Sequence, residues 1–182
     1  VQALGAGQTL SESFDVLSVD GSATETVVLT ITGTNDVPLL DGATTGDVVE
    51  DTSLSVGGTL SISDVDAGES SYQAQTDVSG SYGVFSIGTD GAWTYSLDNA
   101  DAEVQALGAG QTLSESFDVL SADGSATETV VLTITGTNDV PLLDGATTGD
   151  VVEETVLSAG GTLSISDVDT GESSYQAQTD VS

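Results

Sequence analysis

Apolar and polar residues alternate along this chain in short runs, the period-two pattern of strands half buried against a core. Val, Ile, Thr, Tyr and Phe fill the runs, and Gly, Asp, Asn and Ser stand between them. The pattern predicts strands near Asp47 to Glu50, Thr59 to Ser63, Tyr72 to Val78, Val84 to Ile87, Ala92 to Leu97, Thr112 to Leu120 and Thr127 to Thr135. Asp90-Gly91 in "IGTDGAW" and Asp123-Gly124 in "SADGSA" are hairpin-turn signals. Seven strands in about 100 residues predict an all-β fold, an immunoglobulin-like Greek-key β-sandwich. One stretch, "LDNADAEVQALGAG", departs from the alternation; there Asp98 or Asn99 is expected to cap a short helix that ends near Gly108. Trp93 and Tyr95 alternate with Thr94 and are expected to share a core face with Phe85 and Phe117, in preference to forming a sugar-stacking platform.

The pattern also recurs at long range. Shifting the chain by 103 positions aligns Val1–Ser79 with Val104–Ser182, and only five of the 79 pairs differ: Val19/Ala122, Asp51/Glu154, Ser53/Val156, Val56/Ala159 and Ala67/Thr170. A period near 100 residues suits one folding unit per repeat in a tandem array, and is too long for a solenoid turn. The segment "TGTNDVPLLDG", at Thr32–Gly42 and again at Thr135–Gly145, punctuates the array. Its proline, following a strand that ends in Gly and Asn-Asp, cannot continue that strand's ladder. The expected organisation is the C-terminal part of one repeat (1–36), a complete repeat (37–139) and the N-terminal part of the next (140–182). The two partial pieces are expected to be frayed, paired with each other or completed by neighbouring chains.

Composition narrows the chemistry. The chain has 30 acidic residues, no Lys, Arg, His, Cys or Met, and a net charge of −30. Salt bridges between side chains and disulfides are therefore impossible, and phosphate, nucleic-acid and anionic-membrane partners are repelled. Zinc and haem sites lack their usual His and Cys ligands, and no Ser-His-Asp or Cys-His nucleophile can be assembled. An aspartic-protease-like "DTG" occurs at Asp169–Gly171, but its counterpart one period earlier is Asp66-Ala67-Gly68, and both lack hydrophobic flanks. Catalysis is not expected. No apolar run approaches the roughly 20 residues of a membrane span.

Carboxylate, amide and hydroxyl oxygens remain, and they are the ligands of a hard divalent cation. Two carboxylates about 4 Å apart repel by roughly 4 kcal/mol at an effective dielectric near 20, so a folded acidic cluster must take up protons or metal. Calcium, which accepts six to eight oxygens in flexible geometry, is the expected ion. "SDVDAGES" supplies Asp64, Asp66 and Glu69, and "SDVDTGES" supplies Asp167, Asp169 and Glu172. Asp-x-Asp spacing places both carboxylates on one side of an extended backbone, and the glycine lets the glutamate curl in. The loop is not an EF-hand, because Gly68 takes the fifth position and a twelfth-place glutamate is missing. If the first strand leaves a junction and the second returns, this loop lies beside Asn35 and Asp36. Glu50 and Asp51, at the far end, then point toward Asn138 and Asp139, as Glu153 and Glu154 would toward a later junction.

"GTLSISDVDAGE" and the run from "GSYGVFSIGTDGAWTYSLDN" to "VVLTITGTND" resemble the bacterial VCBS repeat of very large secreted adhesins, over the complete repeat and both partial ones. The Asn-Asp-x-Pro linker and the Asp-x-Asp loop are also similar to the calcium junctions of cadherins. The resemblance implies immunoglobulin-like, calcium-dependent extender modules of an RTX-type adhesin, exported by type I secretion to the bacterial cell surface and strung between a cell-anchoring end and a ligand-binding end. Its expected partners are neighbouring repeats of the same chain. The alternative is a self-assembling extracellular fibre, with strands donated between copies. A carbohydrate-binding module is a third reading, and it would predict quenching of Trp93 fluorescence by glycans.

Overall fold

The computed structural model describes residues 1–179. Its central unit contains β3 (Leu39–Gly42), β4 (Thr45–Val49), β5 (Ser55–Ser63), β6 (Gln75–Ser79), β7 (Gly83–Ile87), β8 (Ala92–Leu97), the one-turn helix α1 (Ala102–Gln105), β9 (Thr112–Leu120) and β10 (Thr127–Thr135). Before it lies a hairpin of β1 (Thr9–Leu17) and β2 (Thr24–Thr32), and after it a hairpin of β11 (Leu142–Gly145) and β12 (Leu163–Ser166).

The central unit is a Greek-key sandwich. One sheet runs β3-β5-β8-β7-β6, antiparallel throughout. The other runs β4-β10-β9, with β9 and β10 antiparallel and β4 added in parallel, Thr45 opposite Val131. The chain changes sheet between β3 and β4, returns between β4 and β5, and changes again between β8 and β9. Alternation puts one face of each strand inward: Phe85, Ile87, Trp93, Tyr95 and Leu97 from the first sheet meet Phe117, Val119, Val130, Leu132 and Ile134 from the second. Phe85 stacks on Phe117 with centroids 4.7 Å apart and on Trp93 at 6.0 Å, while Tyr95 tilts against Phe117 at 6.1 Å. The indole is sealed inside, its N–H donating to the Ala43 carbonyl at 2.8 Å, so Trp93 is core and not a platform for sugars.

The terminal hairpins show what the missing sheet does. β1–β2 has the same nine-residue register as β9–β10, Thr9 opposite Thr32 as Thr112 is opposite Thr135. Phe117, Val119 and Leu132 are 7 %, 0 % and 0 % exposed, whereas the identical Phe14, Val16 and Leu29 are 51 %, 55 % and 50 % exposed. The sequence therefore sets the strand pairing locally, and burial of the apolar face needs the facing sheet. The two terminal pieces pair within themselves and not with each other among the described residues.

Three local expectations are corrected. β3 escaped notice because Leu39-Leu40-Asp41-Gly42 is short and does not alternate. The predicted strand Tyr72 to Val78 is two pieces: Tyr72 bridges to Ser121 beside β9, and β6 begins at Gln75 in the other sheet, with an irregular register where Asp77 has φ 51°. The helix cap is Asp101, whose carboxylate accepts the Glu103 and Val104 N–H groups, and the helix stops at Ala106; Asp98 accepts only the Ala100 N–H. Asp98, Asn99 and Asp101 are all polar cap candidates; Asp101 caps the helix, and Val104 of its one turn is buried.

Candidate metal centre

Two acidic clusters lie where the chain passes between units. At the first, the Asp66 carboxylate reaches the linker: its Oδ2 accepts the Asp36 N–H at 2.7 Å, while Oδ1 is buried without a hydrogen-bond partner. Asp64 uses Oδ1 to accept the Asp66 N–H at 2.8 Å and leaves Oδ2 equally unpartnered. Gly68, at φ 88°, takes the left-handed conformation that turns the loop back so that Glu69 rejoins the two aspartates. Ligand oxygens of Asp64, Glu69 and Asp123 all lie within 4.8 Å of one another. Asp123 comes from the β9–β10 turn, and its Oδ2 accepts the Asn35 side-chain amide at 3.0 Å, tying that turn to the linker.

The second cluster repeats the first and adds acids from the preceding unit. Asp169 Oδ2 accepts the Asp139 N–H at 2.9 Å, and Asp167 Oδ1 accepts the Asp169 N–H at 3.1 Å. Asp167 Oδ2, Asp169 Oδ1 and Asp139 Oδ2 are buried and unpartnered. From the other side comes Glu50, fully buried at the end of β4, whose oxygens accept the Gln105 amide at 2.9 Å and the Thr137 N–H at 3.1 Å. Asp51 is next, held at φ 59° by a reciprocal pair with Asn99: its N–H donates at 2.9 Å and its Oδ1 accepts at 2.7 Å.

Buried like charges perturb one another. Burial pushes the Glu50 carboxyl above its ordinary value, with Asp51, Asp139 and Asp169 adding repulsion. Glu69 rises through burial and the charges of Asp66, Asp123 and Asp64, and Asp139 through burial and those of Asp169, Asp51 and Asp167. Asp123 goes the other way, held low by hydrogen bonds from Ser121 and Ser125. Its counterpart Asp20, in the β1–β2 turn, is likewise lowered to about 2 by Ser18 and Ser22.

Of the residues predicted from sequence, the structure brings Asn35, Asp36, Asp64, Asp66 and Glu69 to the first junction. Glu50, Asp51, Asp139, Asp167 and Asp169 gather at the second. Asn138 adjoins them with its amide turned to the Asp139 carbonyl at 2.6 Å, and Glu172 stands exposed at the edge, over Gly108. Glu153 and Glu154 are exposed and join no cluster among the described residues. Asp123 was missed because its turn signal explained it fully; the clue was that the β9–β10 turn ends on the linker side. Every donor is a hard oxygen, several are orphaned, and no cationic side chain exists to neutralise them, so the set fits a calcium ion and not a soft metal.

A sandwich joined end to end through acidic, oxygen-lined linkers defines a class of tandem modular domains. The bacterial cadherin-like domain family matches residues 35–136, and the chain belongs to it. Such domains are non-enzymatic, structural and adhesive modules of extracellular proteins, and they generally bind calcium. A solved structure titled "PcdhgB3 EC1-4 in 50 mM HEPES" is similar at 11% identity with a TM-score of 0.41, over 90% of this chain and 50% of that one. The chain thus spans about half the length of that structure's chain. No curated protein matches. Among the described residues, no helix is long and apolar enough to cross a membrane.

Proposed function

We propose that the chain is a calcium-stiffened extender segment of a long, secreted bacterial surface adhesin, one that holds a distal binding region away from the cell. The observation that carries this reading is the set of six buried carboxylate oxygens without partners, Asp64 Oδ2, Asp66 Oδ1, Glu69 Oε2, Asp139 Oδ2, Asp167 Oδ2 and Asp169 Oδ1, divided between the two junctions. Carboxylate oxygens left without water, a donor or a counter-charge are unfavourable, and no cationic side chain exists to relieve them. Calcium bound by Asn35, Asp36, Asp64, Asp66, Glu69 and Asp123 at one junction, and by Glu50, Asp51, Asp139, Asp167, Asp169 and Glu172 at the other, would neutralise them and remove hinge freedom. Near-identical repeats support a spacer, since length and stiffness need no individuality from copy to copy. The VCBS resemblance supports type I export to the bacterial surface and a role in cell adhesion and biofilm.

Isothermal titration calorimetry at constant ionic strength tests the reading. Calcium should bind with dissociation constants in the range of extracellular modules, about 10⁻⁴ to 10⁻³ M, and magnesium more weakly. No calcium-binding heat up to saturating concentration would overturn it.

A further inference from the structure

The central unit hands the second junction two neighbouring acids, and it holds them differently. Glu50 is fully buried between the Gln105 amide, 2.9 Å from Oε1, and the Thr137 N–H, 3.1 Å from Oε2, and its counterpart one period later is again glutamate, Glu153. Asp51 is exposed, and it stands at one of the five positions that differ between copies, its counterpart being Glu154. The exchange keeps the charge and adds one methylene.

The turn that carries this position has the same form in both copies. Val49 and Ser53 exchange backbone hydrogen bonds of 2.9 Å, and Val152 and Val156 exchange bonds of 2.8 Å, so the change from Ser53 to Val156 leaves the bridge intact. Asp51 stands at φ 59° and Glu154 at φ 68°, in the left-handed region. Glycine would fit such a turn more easily, so what both copies retain is the carboxylate.

Asn99, from the β8–α1 turn, clasps Asp51 from behind. Its Oδ1 accepts the Asp51 N–H at 2.9 Å, and its Nδ2 donates to Asp51 Oδ1 at 2.7 Å. A neutral amide fixes the carboxylate without cancelling its charge, which still acts on Glu50 beside it and on Asp139 across the junction. A glutamate in this place would keep the first bond, which is backbone, and carry its carboxylate one methylene beyond the amide. It would then give up its own rotamer freedom on meeting an ion, a cost that an aspartate already held by Asn99 avoids.

We propose that the Asn99–Asp51 lock sets the calcium affinity of the junction that follows it, and that the exchange of Asp51 for Glu154 makes successive junctions unequal, the glutamate one holding its ion more weakly. The proposal rests on the calcium reading. It deepens that reading by naming the position at which near-identical repeats are tuned, so that one junction stiffens at lower calcium than the next.

Heteronuclear NMR of the whole chain, titrated with calcium from excess chelator, reads the two junctions separately: the Thr137 and Asp139 amides lie at the second and the Asp36 amide at the first. Asp51→Glu should raise the calcium midpoint of the second junction about 3- to 10-fold and leave that of the first unchanged. Asn99→Ala should raise it to a similar degree, and Asp51→Glu added to Asn99→Ala should cost less than about 2-fold more, because the lock is already gone. In chelator, the Asn99 side-chain amide should show hydrogen-bonded shifts in the parent and lose them in Asp51→Glu. Equal midpoints for the parent and Asp51→Glu overturn the proposal, as do fully additive losses in the double variant or free-amide shifts of Asn99 in the parent. Should Asn99→Ala fail to fold, the Asp51→Glu midpoint decides. A parent whose amides at both junctions ignore calcium removes the calcium reading and the proposal with it, whereas calcium binding that both variants leave unchanged removes the lock alone.

Discussion

Replacing Asp169 with asparagine keeps an oxygen for the Asp139 N–H, now 2.9 Å from Asp169 Oδ2, and removes one charge from a site crowded by Glu50, Asp51, Asp139 and Asp167. Two unit charges 4 Å apart interact by about 1 kcal/mol in bulk water and about 4 kcal/mol at an effective dielectric of 20. A divalent ion doubles both figures. Asp169 is 1 % exposed, and the desolvation that accompanies such burial offsets much of the larger value. The lower value, about 2 kcal/mol, corresponds to a loss of roughly 30-fold in calcium affinity. In chelator the sign reverses, because the Asp169 charge is among those that destabilise ionised Glu50 and Asp139. Asp169→Asn should therefore bind calcium at the second junction about 30-fold more weakly, by calorimetry, yet melt at a higher temperature than the parent in chelator. The first junction should be unchanged. A variant destabilised equally with and without calcium would show that Asp169 is only a hydrogen-bonding strut, and would refute the reasoning.

Other outcomes follow from the same geometry. In chelator, Glu50, Glu69 and Asp139 bind protons more tightly folded than unfolded, so their stabilisation is complete below the unfolded values of 4.5 and 3.8 and is lost as pH rises through their raised folded values. The melting temperature in chelator should fall as pH rises above the ordinary carboxylate range, and saturating calcium should abolish that slope; a flat profile in chelator contradicts it. Asp123 contributes with the opposite sign, losing its stabilisation as pH falls below its unfolded value of 3.8. Phe117→Ala, which empties the stack on Phe85, should cost about 3–5 kcal/mol in urea unfolding. The half-exposed Phe14→Ala, at the same register position of β1, should cost under about 1 kcal/mol. Tyr95→Phe removes a hydroxyl that donates to the Glu115 carboxylate and should cost about 1.5–3 kcal/mol, with Glu115→Gln in the same background adding less than it does alone.

What could be read before the structure was whatever depends on local alternation. The β9–β10 hairpin, its Asp123-Gly124 turn and the Phe85, Trp93, Tyr95 and Phe117 cluster all follow from side chains pointing to opposite faces of a strand. Strand parity alone also brought the Asp64–Glu69 loop toward Asn35 and Asp36. The crossing at Tyr72 was hidden because one apolar run serves two sheets, and only the Ser121 bridge and the Gln75 register reveal the change. β3 was hidden because its pairing partner β5 lies some 20 residues on and its four residues carry no period of their own. Asp123 and the Gln105 hold on Glu50 depend on which ends of distant elements meet, and side-chain pattern does not encode that. Glu153 and Glu154 carry the same signal as Glu50 and Asp51, yet the described residues place nothing opposite them.

The central claim, that a divalent cation joins the acidic junctions into a stiff rod, is tested most directly by small-angle scattering of this chain, titrated with calcium and then with excess chelator at constant ionic strength. The account predicts a longer, stiffer particle at millimolar calcium, reverting fully with chelator. A scattering profile that stays the same through both steps would contradict it and leave the acidic loops as solubilising surface.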